Sequence, residues 1–182
     1  MSDLLALVRN LDRLAALKRT ALLDSEPEEP FDRFTRLATR LFKAPVALVS
    51  LVDRERQFFK SAVGLKEPWK TRRETPLTHS FCKHVLASDD PLVIRDATKD
   101  PAFRDNPAVR ELDVVAYAGV PICSSGFALG AFCVMDNEPH EWSYDDVQIL
   151  KDVAACVSHE IDLRLRMRDL EAELAAARLR AQ

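Results

Sequence analysis

The chain has 182 residues, 47% of them apolar and 30% charged, with a net charge of -3. That supplies one globular core plus an extension, and the absence of a basic stripe with interleaved aromatics excludes a nucleic-acid surface. No apolar run reaches the ~18 residues of a spanning helix and no signal-peptide pattern opens the chain, so a cytoplasmic protein without membrane contact is expected.

In chain order, Leu4, Leu7, Leu11, Leu14 and Leu17 recur at helical spacing, so residues 3–23 read as one amphipathic helix. Asp24 to Pro30 interrupts it, and Pro27 or Pro30 fits the first turn of a second helix whose positive end suits Glu28 and Glu29. Phe31, Phe34, Leu37, Ala38, Leu41 and Phe42 form its apolar side. Residues 46–52 and 56–64 read as two strands joined by a turn at Asp53-Arg54-Glu55, and residues 65–78 as loop. Ser80 caps a short helix over 81–87, residues 91–95 form a short strand, and Asp100-Pro101 and Asn106-Pro107 each start a brief turn.

Residues 114–136 form a hairpin about Ser124-Ser125-Gly126. A three-residue loop with glycine last puts Cys123 opposite Phe127. One face then carries Val115, Tyr117, Gly119, Pro121, Cys123, Phe127, Leu129, Ala131, Cys133 and Met135, and the other Ala116, Ala118, Val120, Ile122, Ala128, Gly130, Phe132 and Val134. Both faces are apolar, so the hairpin is covered on both sides. Pro121, lacking an N–H, belongs near a strand end or edge.

Ser143 with Asp145 and Asp146 opens a helix that nothing breaks before Arg180, about 38 residues and roughly 57 Å. A body of about 140 residues is only roughly 37 Å across, so this helix projects. It carries two stripes. Val147, Leu150, Ala154, Val157 and Ile161 form the first; Ile149, Val153, Cys156, Leu163, Met167, Leu170 and Leu174 form the second, broken by Glu160. A second stripe outlasting the first marks packing on a partner helix as well, so a homodimer with a coiled-coil-like seam is expected through those seven residues.

The four cysteines, Cys82, Cys123, Cys133 and Cys156, show no CxxC spacing, and buried thiols in a reducing compartment are the default. His79-Ser80-Phe81-Cys82-Lys83-His84 is the densest cluster of ligand-type side chains. On a helix starting at Ser80, however, Cys82 and His84 lie about 200° apart and do not converge on one ion. No metal and no cofactor is expected, and no glycine pattern cradles phosphate.

Residues 22–42 (LLDSEPEEPFDRFTRLATRLF), 44–64 (APVALVSLVDRERQFFKSAVG), 74–86 (ETPLTHSFCKHVL), 91–107 (PLVIRDATKDPAFRDNP), and YAGVPI with FALGAFCVMD in the hairpin together resemble a GAF domain of the bacterial sensory subtype, over about residues 20–164. The resemblance implies an α+β fold: a central antiparallel sheet, terminal helices on one face, and a loop-covered small-molecule pocket on the other. It divides the chain into an N-terminal helix (1–24), a GAF domain (25–162) and a C-terminal helical extension (163–182). It further implies a non-enzymatic regulatory sensor in signal transduction, dimeric through its terminal helices and linked to a downstream kinase or cyclase module. The bilin-attaching GAF domains place histidine directly after the cysteine, whereas Lys83 intervenes here, and the nucleotide-binding pattern of the phosphodiesterase GAF domains is absent. The ligand candidates are Phe59, Phe81, Cys82, His84, Asp96, Tyr117 and Cys133. Two alternatives stand beside the sensor: a ligand-free dimerisation spacer, and a thiol enzyme resembling the free methionine sulfoxide reductases, with Cys82 and Cys133 as its thiols.

Overall fold

A computed structural model describes residues 2–88 and 90–180. Helix α1 (Ser2–Val8) and α2 (Leu11–Thr20) precede α3 (Glu29–Leu41). Then come β1 (Val46–Val52), β2 (Arg56–Val63), the single-turn α4 (Trp69–Arg72), β3 (Glu74–Pro76) and a 3-10 turn at Leu77–His79. Helix α5 (Cys82–Ser88), β4 (Leu92–Ile94), α6 (Pro107–Glu111), β5 (Ala116–Ser124), β6 (Phe127–Asp136) and α7 (Tyr144–Arg180) complete the chain. Among the described residues the six strands form one antiparallel sheet in the order β3-β2-β1-β6-β5-β4, the α+β class the sequence implies.

The sheet has a core on each side. Leu17 of α2, Phe31 and Ala38 of α3, and Leu150, Val157 and Ile161 of α7 pack on Val49, Leu51, Val120, Phe132 and Val134. Helix α1 goes the other way: Val8 belongs to the opposite core, and α1 lies beside α5. The expected single helix over 3–23 is therefore two. Asn10 accepts from the backbone N–H of Arg13 (2.9 Å) and so caps α2, while the Arg13 guanidinium donates to the carbonyls of Val8 (2.5 Å) and Val52 (2.8 Å). These bonds hold the break against the end of β1. In α3, Pro30 takes the first turn; Leu37 and Leu41, expected on its apolar side, are exposed.

The hairpin turn has two residues, not three. Ser125 and Gly126 both have positive φ (54° and 80°), the signature of a type I′ turn, and Ser124 faces Phe127. The Ser124 hydroxyl donates to Asp162 of α7 at 2.5 Å, which holds Ser124 in the strand. A bulge at Ile122/Cys123 then leaves Leu129 without an opposite number, so Tyr117 faces Met135 and Gly119 faces Cys133. The bulge restores the expected division of faces everywhere except the tip. Phe127 and Leu129 pack on the helix side and Ala128 on the other, the reverse of expectation. Pro121 lies beyond the end of β4, which pairs only with Tyr117 to Gly119, so no neighbour needs its missing N–H.

A second bulge, at Val49/Ser50, skips Lys60 in the middle of β2. Its ammonium has no exposed side-chain surface and donates to the Ser25 hydroxyl (2.6 Å), the Glu26 carbonyl (2.6 Å) and the Glu28 carboxylate. Glu28 in turn binds Arg164 of α7. The Lys60 ammonium and the Arg164 guanidinium each lie 5.4 Å from the Phe31 ring centre. Sheet, α3 entry and the C-terminal helix α7 thus meet at one charged hub.

Helix α7 starts with a reciprocal cap: the Asp146 N–H donates to Ser143 Oγ (3.1 Å) and the Ser143 N–H to Asp146 Oδ2 (2.8 Å). Its buried stripe runs Leu150, Val153, Ala154, Val157, Ile161 and Leu165. Val153, assigned to the dimer seam, therefore packs on the sheet, and Leu165 carries the inner stripe one turn past its expected end. Arg168 then donates to the carbonyls of Arg19 (3.0 Å) and Thr20 (3.3 Å) at the end of α2. Beyond it and the neighbouring Arg19–Asp169 pair the helix stands clear. Ile149, Cys156, Leu163, Met167, Leu170 and Leu174 are exposed.

Candidate functional site

The sheet face away from α2, α3 and α7 presents Leu48, Phe59, Tyr117, Ala131, Cys133 and Met135. Residues 77–88 and 94–114 cover it with Leu77, Phe81, Cys82, Val85, Phe103, Ala108 and Val114. Ser80 ties this cover down. Its hydroxyl accepts from the Lys83 N–H at the start of α5 (3.0 Å) and donates to Gln57 Oε1 (2.7 Å), while Gln57 Nε2 donates to Thr75 Oγ1 (2.7 Å). The Phe81 ring stacks between Tyr117 and Phe103, 5.2 Å from each, and His84 meets the Phe103 ring edge-on at 5.2 Å. Each such contact adds about 0.5–1.5 kcal/mol beyond the area it buries.

At the centre of this face the Tyr117 hydroxyl donates to Cys82 Sγ (3.4 Å), and Cys133 Sγ lies 3.9 Å from the same sulfur. Gly119 makes room for the tyrosine, since a Cβ there would come within 2.2 Å of its hydroxyl. Hydrogen bonding with Cys133 and then with Tyr117 holds the Cys82 thiol below its ordinary range against the opposing effect of burial. The same pairing with Cys82, together with burial, pushes the Cys133 thiol up, and burial does the same to Tyr117.

Little space remains. A cavity of about 10 Å³ lies among Leu48, Gln57, Phe59, Phe81, Cys82 and Tyr117, room for about one water. A neighbouring cleft of about 70 Å³ opens at the end of the sheet between Gly64, Leu65, Trp69, Leu112, Val114 and Met135. The two share Leu112, Val114 and Met135, so the segment around 112–114 stands between them. That segment is held by Trp69 Nε1 donating to the Glu111 carbonyl (3.3 Å), by His79 Nε2 against the Glu111 carboxylate (3.0 Å), and at the rim by Lys66 on Asp113 (2.7 Å). Trp69 and Leu112 were outside the candidate set because they fall in stretches that read as loop and turn, and Val114 because it opens the hairpin ahead of the residues assigned to its faces.

Of the seven candidates, Phe59, Phe81, Cys82, Tyr117 and Cys133 come together in this buried cluster. His84 sits at its edge on Phe103. Asp96 lies apart: it accepts from the Thr98 N–H (3.1 Å) and pairs with Lys99 (2.9 Å), closing the turn after β4.

Burial, assisted by the Lys83 charge, lowers the His84 pKa from 6.5 to about 4. The folded state thus disfavours the charged ring, so stability is full above pH 6.5 and is lost as pH falls toward 4. Denaturant titrations between pH 7 and 4 are expected to show this decline, and His84→Leu to flatten it. An unchanged slope in the variant would assign the decline to other groups.

The GAF domain family model matches residues 26–161. The chain is 36% identical over 152 residues to a cyclic di-GMP phosphodiesterase of Pseudomonas aeruginosa, a match covering 82% of this chain and 25% of that protein. It spans about a quarter of the relative's length. Among solved structures it is similar to a domain of a putative two-component sensor histidine kinase from Sinorhizobium meliloti (TM-score 0.62, 18% identity, 80% of this chain and 96% of that one). It is also similar to the free methionine-R-sulfoxide reductase of Neisseria meningitidis (TM-score 0.61, 16% identity, 84% and 89%). At such identities these structures share the fold alone. Two covered sheet faces, helices α2, α3 and α7 on one of them, and a family match over three quarters of the sequence agree: the chain belongs to the GAF domain family.

Proposed function

We propose that this GAF domain is the non-catalytic sensing part of a signalling protein: it takes a small molecule under α5 and α6 and passes its state along α7 to a partner copy and an output module. The observation that carries this reading is α7 itself. One helix is packed on the sheet through Leu150 to Leu165 and then runs on with Met167, Leu170 and Leu174 exposed, so whatever shifts the sheet also shifts the projecting seam. The likeness to one quarter of a cyclic di-GMP phosphodiesterase supports a place beside an output module of the cyclase, phosphodiesterase or kinase kind. Among the described residues no helix is long and apolar enough to cross a membrane, in keeping with a cytoplasmic ligand. The mechanism is a population shift: a ligand favouring an opened cover biases how α7 meets its partner.

A metabolite screen by thermal unfolding tests this. A ligand present at 100 times its Kd adds about 2.7 kcal/mol, which raises Tm by roughly 5–10 °C for a chain of this size. Tyr117→Ala, compared with its own ligand-free Tm, is expected to lose that rise. One observation favours a second reading, a ligand-free dimerisation spacer: the covered face encloses only about 10 Å³. A screen without a single hit on an intact dimer would decide for the spacer.

A further inference from the structure

Two thiols 51 positions apart in sequence, one from the cover and one from the sheet, meet under α5 with their sulfurs 3.9 Å apart. Both are buried, Cys82 at 2% exposure and Cys133 at 0%. We propose that Cys82 and Cys133 form a dithiol–disulfide site, oxidised by hydroperoxides, that latches the cover shut. A disulfide needs its sulfurs at about 2.05 Å, so the pair has to close by roughly 2 Å to bond. Cys133 occupies the middle of β6, between β1 and β5, and Cys82 is the first residue of α5. The bond would therefore join a short helix of the cover to a strand paired on both sides within the sheet.

Cys82 is the attacking sulfur. It accepts a hydrogen bond from Tyr117, lies beside the Cys133 sulfur, and lines the small cavity under the cover, which hydrogen peroxide, larger than the one water it holds, would enter as the cover opens. Its thiolate attacks one peroxide oxygen; the S–O bond forms, the O–O bond breaks, and the leaving oxygen departs as water after taking a proton. The Cys133 sulfur then attacks the sulfenic acid; the S–S bond forms, the S–O bond breaks, and the Cys133 proton leaves with the second water. Two thiols and one peroxide give one disulfide and two waters, and a dithiol reductant reverses the change. The latch as a regulator rests on the small-molecule reading of this face, whereas the disulfide does not.

The test uses the full chain carrying Cys123→Ser and Cys156→Ser, since those two thiols are exposed. After peroxide, denaturation and alkylation, the expected result is a mass loss of about 2 Da, no alkylated thiol, and one cross-linked peptide pair containing Cys82 and Cys133, all reversed by dithiothreitol. Hydrogen exchange across residues 82–88 is expected to slow at least about tenfold in the oxidised form. Thiols that survive peroxide levels sufficient to oxidise Cys156 in the wild type would overturn the site. So would Cys82 advancing to sulfinic acid beside an intact Cys133. A disulfide that leaves exchange in α5 unchanged overturns the latch, and one that forms in a domain no metabolite stabilises upholds the redox site while counting against the sensor.

Discussion

Truncating Glu28 to alanine is expected to cost the fold about 3 kcal/mol, read as a lower urea midpoint with unchanged slope. Lys60 has no exposed side-chain surface, and Glu28 is the one carboxylate bound to it among the described residues. Removing that carboxylate leaves an ammonium in the helix–sheet layer with only the Ser25 hydroxyl and the Glu26 carbonyl, and it frees Arg164, the α7 end of the hub. The companion double variant separates charge from packing. Adding Lys60→Met to Glu28→Ala removes the stranded ammonium and keeps most of the volume, so it is expected to recover part of the loss. Further destabilisation instead would show that the hub works through hydrogen-bond geometry and not through burial of charge. Acid gives an independent reading. The bond from Arg164, then that from Lys60, holds Glu28 below its ordinary value of 4.5. Its stabilising contribution is complete above 4.5 and disappears as pH falls through the lower folded value, so Glu28→Gln should flatten the acid limb of stability below 4.5.

Lys60 also shows where sequence reasoning ends. In QFFKSAV a lysine in a strand reads as a solvent-facing residue, but it alternates with Phe58 into the helix layer, and the bulge opposite Val49/Ser50 turns Ser61 to the same side, onto Thr35 and Asp32 of α3. Bulges answer to partners distant in sequence, so no local period announces them. The hairpin makes the same point with a kinder outcome. Two apolar faces were legible because every residue from Ala116 to Ile122 is apolar and such a strand needs cover on both sides. The loop was read one residue too long, and the bulge at Ile122/Cys123 brought Tyr117 and Cys133 back to one face. Strand β3 and α4 went unread because three or four residues are too short to carry a period. The break at Asn10 carried a real signal, an asparagine cap, masked by leucines that keep helical spacing on both sides of it. Local caps were the most legible features of all: Asn106-Pro107 and Ser143 with Asp146 open α6 and α7 where the residue types require.

Replacing both Leu170 and Leu174 by aspartate is expected to convert a dimer into a monomer without lowering the unfolding midpoint of the globular body. The inner stripe of α7 ends at Leu165, and the last described anchors of the helix to the body are Arg168 on the α2 carbonyls and the Arg19–Asp169 pair. From there the helix continues for roughly 16 Å with no packing of its own. A helical segment of about that length is marginal alone in water, since tertiary burial of an apolar face supplies most helical stability. Leu163, Met167, Leu170 and Leu174 provide such a face at steps of four, three and four, flanked by Arg166, Glu171 and Glu173. Met167, Leu170 and Leu174 are each about 60% exposed in the single chain. Two copies laid side by side would bury them as alternating seam positions and leave the charges at the rim. A carboxylate at two successive seam positions cannot be buried unpaired, so the seam opens. Because neither leucine touches the two cores, the body is left as it was. Light scattering at tens of micromolar should give twice the monomer mass for the wild type and the monomer mass for the variant. Far-UV circular dichroism should lose helix only in the variant. A monomeric wild type would remove the seam as the route of output. Val153 supplies the internal control: although it reads as part of the same stripe, it packs on the sheet, so Val153→Asp is expected to unfold the body and not merely to separate the copies.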